Sequence, residues 1–253
     1  MSERAVEHEA PAAERSAPAA ALRPAGSTVA AVERLQQTAG NAAVSRLLQR
    51  DETAEWFYSG DVVELALKDD ITSKFSVSIR GPWSDPDLAD LQAALALLTS
   101  GELKWVSGTE FVRVGSIAGR PDDDALTEVV GDGSSKKVQC ADFLFGREAG
   151  KSGGRTAHGV ALGTHGIVHE CGHVIHFHDD LYAVVAARWK PIYDRLKKND
   201  VKVSSEPKGN PAKFNADELL AEAFARFHTD AAGLKAADAG AHGFFSGGSH
   251  LKK

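Results

Sequence analysis

The chain has 253 residues, 43% of them hydrophobic and 25% charged, with a net charge of −6. That balance is ordinary for a globular protein, and the acidity excludes the electrostatic footprint of a nucleic-acid binder. No apolar run reaches the ~18 residues of a membrane span, and the two cysteines, Cys140 and Cys171, make no disulfide framework and suit a reducing compartment.

The chain divides near Arg50. Residues 1–26 are rich in Ala, Pro, Glu and Arg with almost no large apolar groups, so they cannot bury enough surface to offset their ordering entropy. A disordered segment is predicted there. Its opening, "MSERAVEHEAPAAERSAP", carries acids where a secretory signal carries bases, so no Sec signal is expected. Residues 27–50 predict a short helical leader. Ser27 or Thr28 caps a first helix, Val29, Val32 and Leu35 form its stripe, and Gly40-Asn41 breaks it before Val44, Leu47 and Leu48.

Residues 51–253 read as one α+β domain. "VVELAL" (Val62 to Leu67) and the alternating "KFSVSIR" (Lys74 to Arg80) predict strands. Asp85-Pro86 starts a helix that Leu88, Leu91, Leu95 and Leu98 continue and Gly101 ends. "EFVRVGSI" (Glu110 to Ile117) and "KVQCADFLFG" (Lys137 to Gly146) are further strand candidates. The glycine-rich stretch Arg147 to Gly163 predicts a mobile loop. "LYAVVAARWKPIYDRLKK" and "NADELLAEAFARFHTD" are both helical in pattern.

Between loop and helices lies "THGIVHECGHVIHFHDD" (Thr164 to Asp180), with five of the ten histidines. It contains "HECGH", a match to H-E-x-x-H. Residues four apart share a helix face, so His169 and His173 can both reach one Zn²⁺ at about 2 Å. Glu170, on the adjacent edge, can act as general base on a water that the metal acidifies. Thr164 is expected to cap this helix, and Gly159, Gly163 and Gly166 argue against an earlier start. The alternative is a histidine-rich surface helix. His165 sits four before His169, but that pair lacks a following glutamate to act as base. His176 and His178 read as bystanders.

A zinc hydrolase needs a third protein ligand. Asp179 stands at the position used when a glycine turn follows the second histidine, but the glycine position here is His176, which resists that turn. The rival is "NADELLAEAFARF", where Glu218 and Glu222 share one face above an apolar surface. One carboxylate can bind metal while the other orients a ligand histidine. Asn215 and Glu218 also resemble a capping box, in which Glu218 would bind nothing. Capping leaves Glu222 unexplained, so Glu218 is the stronger candidate.

Two resemblances follow from these residues. "LQQTAGNAAVSRLLQR" is similar to a leader found on actinobacterial proteins encoded beside extracellular contractile injection systems, which implies cargo for a phage-tail-like particle. "HECGH" with "ELLAEAFARFH" downstream resembles the catalytic domain of anthrax lethal factor and its relatives, including the bacterial Pro-Pro endopeptidases. The likeness spans residues 160–245 and includes the tail "HTDAAGLKAADAGAHGFF". It implies a zincin-like fold and a zinc endopeptidase with His169, His173 and Glu218 as ligands, Glu170 as base and Glu222 behind the ligands. Together the two imply a toxin or effector, cytoplasmic in its producer, then carried by the particle into a target cell to cut a protein or peptide. That family places a tyrosine about two turns before the glutamate ligand; here the region reads "GNPAKFNAD". His228, His165 or Lys213 would have to stand in as oxyanion donor. The contrasting expectation is an inactive cargo or adaptor protein.

Overall fold

The computed structural model describes residues 59–120, 125–130, 132–145, 156–203 and 215–253. The disordered segment and leader expected over residues 1–50 lie outside the described residues, as does Lys213. Eight α-helices and a small mixed sheet make up the described part, which is an α+β arrangement as expected. In chain order these are α1 (Ser59–Phe75), β1 (Ser78–Arg80), α2 (Asp85–Leu97), α3 (Ser100–Val106), β2 (Glu110–Arg113), β3 (Ala125–Val129) and β4 (Lys136–Cys140). A 3₁₀ turn, Asp142–Phe145, and a short hairpin of β5 (Thr156–Ala157) and β6 (Val160–Ala161) lead to α4 (Leu162–His176). Then come α5 (Asp179–Lys198), α6 (Ala216–Thr229), α7 (Ala231–Ala237), α8 (Ala239–Ser246) and a final 3₁₀ turn, Ser249–Leu251. No helix among the described residues is long and apolar enough to cross a membrane.

The sheet runs β1-β2-β4-β3, with β1, β2 and β4 parallel and β3 antiparallel to β4. Among the described residues β3 pairs only with β4, so it forms an edge of the sheet. One apolar core joins sheet and helices, from Leu67 and Ile71 through Leu88, Phe111 and Ile167 to Leu220 and Phe245.

Several local expectations are corrected. Val62 to Leu67 is helical, not a strand: Leu67, Ile71 and Phe75 are buried at four-residue spacing, and that period outweighs the β-branched start. The strand expected over Lys74 to Arg80 shrinks to Ser78–Arg80, because Ser76 turns the chain at φ 55°. The single helix expected from Asp85 is two. Thr99 and Glu102 form a capping box that starts α3, so Gly101 lies inside a helix instead of ending one. Leucine spacing also gave no sign of β3, whose residues are mostly half-buried.

The histidine-bearing helix starts earlier than predicted. Its first residue is Leu162, its N-cap is Ala161, and Thr164 is not a cap; the Thr164 hydroxyl donates to Asp90 Oδ1 at 3.3 Å. The glycines serve close packing. A Cβ on Gly163 would lie 2.5 Å from Phe145 Cδ1 and 2.6 Å from Asp90 Oδ2. Gly163→Ala is therefore expected to destabilise by about 1–3 kcal/mol through overpacking, exceeding the gain of up to about 1 kcal/mol that alanine brings to a helix. Urea unfolding would register a lowered midpoint with unchanged slope; a midpoint at or above the parent's would contradict the close-packing role.

Candidate metal centre

Helix α4 carries His165, His169 and His173 at four-residue intervals, hence on one face. Helix α6 carries Glu218 and Glu222 at the same interval. Asn215 caps α6 with its side chain, accepting from the Asp217 and Glu218 backbone N–H groups at 3.0 and 2.9 Å. The cap thus needs no help from the Glu218 carboxylate, which faces α4 instead. Gly172 lets the helices close: a Cβ there would stand 3.2 Å from Ala221 Cα and 3.1 Å from Phe224 Cδ1.

The facing residues meet in pairs. His169 Nε2 and His173 Nε2 lie 3.1 Å apart. Glu218 places Oε2 3.4 Å from the first and Oε1 3.5 Å from the second. A tetrahedral zinc with ligands at about 2 Å has ligand–ligand edges of ~3.3 Å, so these three donors fit such an ion. The other face of His169 is fixed by Glu222, whose Oε2 accepts from Nδ1 at 3.2 Å. That assigns the His169 proton to Nδ1 and leaves the Nε2 lone pair for a metal. His169, His173 and Glu218 are thus a group that could hold a metal ion.

The electrostatics follow from these contacts. Burial disfavours a charged His169, but the Glu218 and Glu222 carboxylates outweigh it and push the imidazole up to about 10. The His169 and His173 imidazoles beside it hold Glu218 well below the usual carboxylate range, against the opposing effect of burial. Burial would raise Glu222, yet His165 and His169 bring it below that range too. Glu170 is buried beside the group, and the Thr127 hydroxyl of β3 donates to its Oε2 at 2.5 Å. Sequence reasoning missed Thr127 because no pattern marked β3.

The remaining candidates separate. Asp179 is exposed at the start of α5 and is not in the metal-type group. His178 caps α5, with its Nδ1 accepting from the Asp180 N–H at 3.4 Å. His176 is buried and outside the donor group, and desolvation followed by the nearby His173 lowers it to about 4. His165 donates from Nδ1 to Thr229 Oγ1 at 3.3 Å and faces Glu222 Oε1 through Nε2 at 3.2 Å. Its partners are therefore the back of the site, not its mouth. Cys171 is buried, and desolvation raises its thiol.

His228 is not brought to the donor group. Ten positions beyond Glu218, it points off the other side of α6, where its Nε2 donates to Glu102 Oε1 at 3.1 Å. His250 Nε2 reaches the same oxygen at 2.8 Å, and Glu102 is only 1% exposed. This buried trio joins the capping box of α3 to α6 and the chain's end, and only the tertiary fold reveals it. No protein-family model matches the chain, and neither a curated protein nor a solved structure matches it.

The trio makes a pH prediction. Burial alone would raise Glu102, but His228 and His250 hold it well below its ordinary 4.5. A carboxyl lowered in the folded state contributes stability that is complete above its ordinary value and is lost as pH falls below it. Glu102→Gln should therefore cost about 3–5 kcal/mol at neutral pH and flatten the loss of stability below pH ~4.5. Denaturant melts across pH test this; parallel curves for variant and parent would refute it.

Proposed function

We propose that the chain is a zinc-dependent endopeptidase of the zincin type. The observation that carries this reading is the set of three donors from His169, His173 and Glu218 at tetrahedral spacing, with the buried carboxylate of Glu170 on the residue next to the first histidine. Zinc held there would polarise a scissile carbonyl and acidify a water. Glu170 would take the proton of that water and pass it to the leaving amine. Thr127 fixes the orientation of Glu170, and Glu222 fixes the ring of His169. The substrate would be an extended peptide added to the edge of β3, which carries Thr127 into the site. With the leader resemblance, the biological reading is a protease effector carried by a contractile injection particle into another cell.

Purified protein should contain about one zinc in this site by elemental analysis. Glu170→Ala should keep that zinc and lose cleavage by about 10²–10⁴, read as new N-termini in a lysate treated with parent or variant. Glu218→Ala should hold one zinc fewer than the parent. Full zinc occupancy without Glu218 would sink the ligand set. Identical N-termini from parent and Glu170→Ala protein would favour the inactive-cargo reading instead.

A further inference from the structure

A second group of donors stands behind the first. His158, at the turn of the β5–β6 hairpin, joins His165 of α4 and Glu222 of α6, with one donor atom of each within 4.8 Å of the others. We infer that these three residues form a second binding site for a divalent transition-metal cation of the zinc class, linked to the first group through the Glu222–His169 hydrogen bond.

Proton placement supports the assignment. The Thr229 hydroxyl donates to the Ala225 carbonyl at 2.9 Å, so toward His165 Nδ1 it is an acceptor. His165 thus carries its proton on Nδ1. A neutral ring then turns the lone pair of Nε2 onto Glu222 Oε1, 3.2 Å away. Two facing acceptors in a buried setting need something positive between them. A second proton on His165 or a shared cation would each supply it, and His158 decides between them. Its side chain is only 10% exposed, its Nδ1 faces Asp230 Oδ2 at 3.5 Å, and its Nε2 is buried with no hydrogen-bond partner. A proton on His165 leaves that nitrogen orphaned. A cation gives it a partner.

Two imidazoles and one carboxylate are the donors that zinc takes. His158 also has φ 50°, a left-handed conformation that few residues adopt without cost. The hairpin is bent to bring this ring inward. A cation there would pin the hairpin to α4 and α6, and it would hold Glu222 Oε1 while Oε2 still orients His169. The site stands whether or not the first group catalyses anything.

The test is zinc stoichiometry of the full chain, by equilibrium dialysis against zinc and elemental analysis. The parent should saturate at two zinc ions and His158→Asn at one; asparagine tolerates left-handed backbone. Glu218→Ala should also hold one, now in the second site. A parent that saturates at one, or a His158→Asn protein that still takes two, overturns the proposal. Circular dichroism separates folding from ligation. If His158→Asn unfolds, His158→Gln takes its place. Loss of both ions from a variant with the parent's spectrum refutes two separable sites.

Discussion

The approach of α4 to α6 sets what the rest of the structure can do. Gly172 makes that approach feasible, with Ala221 and Phe224 directly across from it. The helices then present two stripes of period four in opposite directions. His165 meets Thr229 and Glu222, His169 meets Glu222 and Glu218, His173 meets Glu218, and His176 lies 3.8 Å from Asp217. As residue numbers rise on one helix they fall on the other. Each carboxylate therefore sits between two successive imidazoles, and each of the first two imidazoles uses both ring nitrogens.

This arrangement answers the cost of burying charge. A carboxylate removed from water is costly unless donors replace its hydration. Glu222 accepts from His169 Nδ1 and lies against His165 Nε2; Glu102 has His228, His250 and the Thr99 backbone N–H. Both follow one pattern, one carboxylate shared by two histidines. The locations differ. Glu222 lies between α4 and α6, where the site is, whereas Glu102 ties the far side of α6 to α3 and the chain's end. Helix α6 thus has a chemical face and a structural face, and the capped N-terminus at Asn215 fixes which residues fall on each.

Sequence periodicity exposed both stripes separately, because spacing of four on a helix is a local property. It singled out His169, Glu170, His173, Glu218 and Glu222, and the structure brings four of them together with Glu170 buried beside them. What it could not supply was long-range. His158 is followed by glycine in a region that reads as loop, and nothing local indicates that its ring turns inward. His228 looked available because its partner, Glu102, is 126 positions away. Thr164 and the glycines at 163 and 166 misled for a related reason. Propensity treats glycine as a helix breaker, whereas here Gly163 and Gly166 are helical because Phe145, Asp90 and Leu144 press against them. Val62 to Leu67 failed more simply, since two adjacent valines outweighed a four-residue period that becomes plain only by Phe75.

The first donor group is enclosed unequally, and that asymmetry bears on how a substrate would enter. The side chain of His173 is 6% exposed and that of His169 is 16%, while that of Glu218 is 42%. His173 is covered by Phe177, stacked on it at 5.0 Å, and His169 is backed by Glu222. The open flank is therefore the Glu218 side of the group. Glu170 is instead tied to Thr127 of β3. A chain bound along that strand would carry its backbone past Glu170, with the exposed carboxylate of Glu218 at the open flank. On the proposed protease reading the base must meet the water while the substrate still has room to enter, and a buried Glu170 with a half-open Glu218 would serve both demands.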